Sequence, residues 1–314
     1  MAVVTSDLLE ALLTNHRALF AREFSAAEQL QGWQNLAIRT DSMVEYESYN
    51  WFGTVPQMQD VTSDAPDIRG LDRYTFTLRN RAYQAAVELE RAALERDQFN
   101  IITPRIAQMG GEAARHPGSL LLSLFEAPGD AYDGDPFFGT TRVIGESGNI
   151  DNHLTGTVGH TTAVFQANLE AARGTMLRYQ DDRGRPMHLR PNVIVCPPEK
   201  TQLIFQSLNV QQAGNLDRAV VPTSQTGVFQ AGTYLVVENA YLTDPDDFYV
   251  LHVGGPGQRP FVWQVEKMPV LESDTNPMTR ENILQRNFLY SVYGRYAVGV
   301  TDPRLAIKVE WAAS

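Results

Sequence analysis

Two runs of period-two alternation, separated by a polar stretch, constrain this chain more than any other feature. Val44-Glu-Tyr-Glu-Ser-Tyr-Asn-Trp-Phe52 alternates, and a stretch marked by Pro, Asp and Gly runs from Gly53 to Arg73. Tyr74-Thr-Phe-Thr-Leu78 then alternates again, with Val87-Glu-Leu-Glu90 still in period two. Such alternation is the pattern of strands with one apolar face. A two-stranded ribbon is marginal in water unless a surface covers that face. Val44 to Asp97 therefore reads as an arm with nothing in its own chain to hold it, resting on a neighbouring copy. Assembly, rather than chemistry, is the first function class to test.

The 314 residues suffice for one large or two ordinary domains, and 43% hydrophobic with 20% charged content can bury a substantial core. No apolar run approaches the ~20 residues that span a bilayer. The N-terminus lacks the basic, apolar, small-residue order of a signal peptide. Cys196 is the only cysteine, so no disulfide forms within the chain. These features read together as a soluble, cytosolic product. A net charge of −11 disfavours phosphate-driven binding of nucleic acid, although an acidic wall can enclose DNA without sticking to it. Lys200, Lys267 and Lys308 are the only lysines.

Along the chain, Asp7 to Phe24 predicts an amphipathic helix with Leu8, Leu9, Leu12, Leu13, Leu19 and Phe20 as its stripe. It packs either on its own domain's core or on another surface. Gln31 to Arg39 continues as helix, and Tyr83 to Arg96 reads as strand despite helix-favouring composition. A long helix runs from Asp97 or Thr103 to about Phe125, with Pro104 in its first turn. Gly110-Gly111 and Pro117 predict a bend or break in it. In Tyr132-Asp-Gly-Asp-Pro-Phe-Phe138, Asp-Gly forces a tight turn and both phenylalanines return to a core. Thr162 to Tyr179 and Glu199 to Leu208 read as helices. Asn192 to Cys196, Thr233 to Asn239, Phe248 to Val253, Phe261 to Val265 and Leu305 to Trp311 read as strands, and Leu284 to Gly299 as either a long strand or a strand and bend. The βα alternation indicates a mixed α+β fold without a linker between beads.

The residues that carry chemistry elsewhere do not gather into a motif here. His16, His116, His153, His160, His188 and His252 lack metal-binding spacing, and a single cysteine excludes the common zinc patterns. Asp130, Asp133 and Asp135 lack the ladder and closing glutamate of a calcium loop. Asp181-Asp182 and Asp244/Asp246/Asp247 read as exposed turns. Gly145-Glu-Ser147-Gly148 is one residue short of a nucleophile elbow, and Gly254-Gly-Pro-Gly257 has no helix after it to cradle a phosphate. No catalytic, cofactor-binding or metal residue is assigned.

The order of features resembles the Mu-type phage major head subunit family, with its Hong Kong 97-type capsid fold. The resemblance rests on the N-terminal helix with Trp33 after it, Tyr49-Asn-Trp-Phe-Gly53 with Pro56, and Asp97-Gln98 before the long helix. It continues through His116-Pro117 with Leu120-Leu-Leu122, Tyr132-Asp-Gly-Asp-Pro-Phe-Phe138, Pro191-Asn-Val-Ile-Val-Cys-Pro-Pro198 and the aromatic C-terminal segment. Where the family pattern leads one to look for a histidine, this chain has Thr140-Thr141-Arg142.

The resemblance implies an N-arm at 1–40, an extended β-hairpin loop at 41–96 and a peripheral domain with a long spine helix at 97–135. An axial domain at 136–257 and peripheral return strands at 258–314 complete it. It implies inter-subunit contacts through Leu12, Phe20, Trp51, Phe52, Arg69, Arg73 and Phe76, and a structural turn at Asp133, Gly134, Phe137 and Phe138. The chain would assemble with itself as hexamers and pentamers into an icosahedral head, with scaffold, portal and decoration proteins as further partners. It would enclose double-stranded DNA without reading sequence, contact no membrane, need no cofactor, and be assembled in the host cytoplasm as part of the virion. Some members of the wider fold weld their shells through a lysine. Val44 to Arg96 contains none, so this arm should clasp by packing and hydrogen bonds. The rival readings are a nanocompartment shell of the same fold, and an α/β enzyme with a cryptic carboxylate site.

Overall fold

A computed structural model describes residues 6–29, 32–52, 73–90, 102–213, 234–255, 257–274, 284 and 287–311. In chain order the elements are α1 (Ser6–Gln29), a 3-10 turn (Gly32–Leu36), β1 (Ala37–Asp41), β2 (Tyr46–Phe52), β3 (Arg73–Arg79), β4 (Arg81–Glu90) and α2 (Ile102–Ser123). They continue with β5 (His153–Thr155), α3 (Thr162–Arg178), β6 (Val193–Cys196), α4 (Thr201–Ala213), β7 (Leu235–Glu238) and β8 (Asp247–Leu251). β9 (Phe261–Asp274), β10 (Asn287–Val300) and β11 (Ala306–Glu310) close the series.

The strands form three sheets. The first has the order β1-β9-β10-β4, the second β5-β11-β8-β6-β7, and β2 pairs with β3 alone. In the five-stranded sheet, successive side chains point to opposite faces. Ile194, Cys196, Phe248, Val250, Ile307 and Val309 face α3 and α4. Val193, Val195, Tyr249, Leu251 and Ala306 face the opposite way, towards Trp33, Phe125, Phe137 and Trp263. Both faces are covered, which is why Val193-Ile-Val-Cys196 reads as a continuous apolar run. A third cluster lies between α1, α2 and the first sheet, with Phe20, Ile106, Phe288, Tyr290 and Val292 at its centre.

Several expectations are corrected. Residues 32–39 do not form an α-helix: Trp33 and Leu36 are buried on a 3-10 turn, and Ala37–Asp41 pairs parallel to β9. α2 runs unbroken through Gly110-Gly111 and Pro117, with Gly110, Pro117 and Gly118 all buried, so packing outweighs the local preference to break. The arm is not without a hold in its own chain. β4 pairs with β10 over its whole length, from Arg81↔Tyr296 to Glu90↔Asn287. Within 258–314 the strands divide between sheets: β9 and β10 lie in the first, whereas β11 pairs with β8 and β5 in the second.

Candidate functional site

The part of the arm that stands apart from the larger sheets is the ribbon of β2 and β3, in register from Tyr46↔Arg79 to Phe52↔Arg73. Its outgoing joint is Ser42–Glu45 and its return joint is Asn80 alone, and hydrogen bonds link the two. The Asn80 amide N–H donates to the Glu45 carbonyl at 2.8 Å. Its Nδ2 donates to the Val44 carbonyl at 2.8 Å and to Ser42 Oγ at 3.3 Å. The ribbon then touches the body, where Tyr49 Oη donates to Gln264 Oε1 at 2.8 Å. At Gly299 a Cβ would lie 3.2 Å from Leu78 and 3.5 Å from Phe76, so the glycine lets the ribbon lie flat on β10. Asn80 occupies the next position on the Tyr74-Phe76-Leu78 face. An amide on an apolar stripe was the sequence signal for this joint, and alternation alone did not expose it.

Behind the arm, α1 lies on α2 because Gly110 has no side chain: a Cβ there would sit 2.8 Å from the Phe20 carbonyl. Two histidines tie the helices to β10. His16 Nδ1 lies 3.2 Å from Tyr290 Oη, and His116 Nδ1 lies 2.6 Å from Tyr296 Oη. Burial lowers both imidazole pKa values and pushes the Tyr290 phenol up to about 12. His116, Tyr83, Tyr296 and Met109 also line an open groove of about 830 Å³ between α2 and the first sheet.

The turn at 130–138 is built by local chemistry. Gly134 has φ +86°, its N–H donates to the Ala131 carbonyl at 3.0 Å, and Asp130 bridges Pro136. Phe137 is fully buried, with Phe138 at 4.9 Å and Phe261 at 6.2 Å between ring centres. Arg142 fastens the turn from beneath. Its Nε lies 2.7 Å from Asp133 Oδ2, and its guanidinium donates to the carbonyls of Asp135, Pro136 and Phe137.

The remaining inter-subunit expectations fall as follows. Phe20 is 4% exposed in its own chain's core, which leaves it no surface for a neighbour; this corrects its assignment. Phe76 is half-buried on Gly299. Leu12 lies on α1, Trp51 and Phe52 on β2 and Arg73 on β3, with their side chains outside the described set, and Arg69 lies outside the described residues. Asp181 is not an exposed turn residue: it is 3% exposed and pairs with Arg185 at 2.6 Å.

Among the described residues no group of three or more histidine, cysteine or acidic side chains could hold a metal. Burial pushes the Cys196 thiol up to about 11, far from a reactive thiolate. Among the described residues no helix is long and apolar enough to cross a membrane.

The profile of a family described as "Mu-like prophage major head subunit gpT" matches residues 9–165, half of the chain. The Mu-like prophage FluMu major head subunit of Haemophilus influenzae is 24% identical over 174 residues. That match covers 54% of this chain and 55% of the relative, so the chain spans about half the length of this curated relative. Among solved structures, the procapsid of bacteriophage JBD30 is 18% identical with a TM-score of 0.56, over 99% of this chain and 77% of that one. The capsid of cyanophage P-SCSP1u is 10% identical with a TM-score of 0.59, over 90% and 88%. A virus-like particle from Pyrococcus furiosus is 7% identical with a TM-score of 0.57, over 95% and 98%. At these identities the likeness shows the fold, which is the Hong Kong 97-type capsid fold of α+β class.

Proposed function

The chain belongs to the family of Mu-like prophage major head subunits, and from that premise we propose that it is the major capsid protein of a tailed double-stranded DNA phage. Copies would assemble as hexamers and pentamers into an icosahedral head. The observation that carries the reading is the extent of the family match. Residues 9–165 take in α1, the arm, α2 and the polar turn, the parts that would make and place contacts between copies. Ring contacts of this kind are head-to-tail, each copy presenting one surface to the next. Interfaces in permanent assemblies bury on the order of 2,000 Å² or more, an area that the arm and the outer side of α1 would have to provide.

In this reading the protein has a structural role and no catalytic one. It is a virion component assembled in the host cytoplasm, and scaffold, portal and decoration proteins are its further partners. The net charge of −11 suits a wall that encloses DNA without holding its sequence. The likeness to a virus-like particle over 98% of that chain favours one second reading, a shell that houses protein cargo. Sedimentation of purified particles followed by extraction separates the two. DNA resistant to external nuclease supports the phage head, and protein cargo without DNA supports the compartment. Sedimentation only as monomer or dimer would refute both.

A further inference from the structure

We propose that Ser42 and Asn80 form a hinge pin that fixes the angle of the β2–β3 ribbon to the body and so positions the arm for the adjacent copy. The inference rests on reading the arm as an assembly element.

The ribbon leaves the body through Ser42–Glu45 and returns through the single residue Asn80, between β3 and β4. Two joints this short would hinge freely if only strand backbone crossed them. Instead Ser42 and Asn80, each 6% exposed, tie them together. The Ser42 N–H donates to the Val265 carbonyl at 2.8 Å, which anchors the outgoing joint to β9. Ser42 Oγ lies 2.9 Å from Glu47 Oε2, 3.3 Å from the Val44 N–H and 3.3 Å from Asn80 Nδ2. Asn80 Nδ2 also reaches the Val44 carbonyl, so one amide spans both joints.

Two features mark the pair as a positioning device rather than a source of stability. Asn80 Oδ1 is buried and has no hydrogen-bond partner among the described residues. An unpaired buried acceptor is costly, and an apolar residue of similar size would avoid that cost. Polar groups kept at such positions specify one arrangement among several. The outer side of the joint is open, with Met43 98%, Val44 51% and Tyr46 54% exposed. The Arg79 contacts there, an exposed ion pair to Glu45 at 2.9 Å and a position over the Tyr46 ring, hold the ribbon's own base together rather than fasten it to the body. The ribbon's pad on Gln264 and Gly299 limits movement towards β10, and the pin must limit movement away from it.

The test uses the full chain, spin-labelled at Ser48→Cys on β2 and Glu170→Cys on α3, both exposed positions, with the buried Cys196 left unlabelled. The distance distribution in dispersed subunits should be narrow in the parent. It should broaden in Asn80→Leu and Ser42→Ala, and narrow again in Ser42→Thr, which keeps the hydroxyl. Asn80→Leu should keep its melting temperature yet give open or mixed-diameter particles. A distribution as narrow in both Asn80→Leu and Ser42→Ala as in the parent would overturn the pin. If Asn80→Leu does not fold, Ser42→Ala against Ser42→Thr decides the matter. Broadening in the variants of a parent that itself never forms particles would leave the pin standing and refute the capsid reading.

Discussion

At Gly110 the chain has no room for a side chain, since a Cβ would meet the Phe20 carbonyl at 2.8 Å. Gly110→Ala should therefore push α1 off α2 and cost ~1–3 kcal/mol, although alanine favours helix more than glycine does. A lowered thermal midpoint checks this; a raised one would show that propensity wins. Arg142 is the corresponding single point of the polar turn. Its side chain is 2% exposed and paired with Asp133, so Arg142→Ala should cost ~3–5 kcal/mol by leaving the Asp133 carboxylate without its cation and the Pro136 carbonyl without its donor. Denaturant titration measures that loss. The Asp133-Gly134 turn was legible because its chemistry is local. The Arg142 contact was not, because it depends on the turn already being folded.

His16 and His116 make the fold sensitive to acid. Both have pKa values below the ordinary 6.5 because burial disfavours the charged ring. The unfolded chain then binds protons first as pH falls. The stability linked to the two rings is complete above pH 6.5 and is lost as pH drops from there through the lower folded values. Thermal midpoints between pH 7.5 and 5 should fall, and His16→Gln with His116→Gln should flatten that slope. An unchanged slope would exclude the two rings as its source.

Elements show a different balance between sequence and context. α1, α2, β2 and β3 were readable because their periodicity is strong. The Tyr83–Arg96 stretch was read as strand from Val87 and Leu89 against its helix-forming composition. β4 is a strand through Glu90 because ten residues pair with β10, a tertiary partner that no local scale sees. The same blindness hid the strand at Ala37–Asp41 and the unbroken course of α2 at Pro117. The contribution of the segment that joins β2 to β3 can be isolated. Deleting residues 53–72 and closing the gap between β2 and β3 should leave the three buried clusters and the far-ultraviolet spectrum nearly unchanged. It should nevertheless abolish closed particles. Normal particles from that variant would remove residues 53–72 from the assembly role.

For the whole molecule, the architecture follows from strands that cross between layers. β9 and β10 run 14 residues each in the first sheet, and the chain then turns into β11 of the second, so the body closes on itself without a linker. That continuous passage between sheets explains why no boundary appeared in the sequence. Among the described residues the ribbon of β2 and β3 stands outside these layers, and in the proposed function it serves contacts between copies. Electron microscopy of the purified full chain tests that claim most directly. The account predicts rings of five and six copies and closed shells hundreds of ångströms across; a field of single compact subunits at every concentration would contradict it.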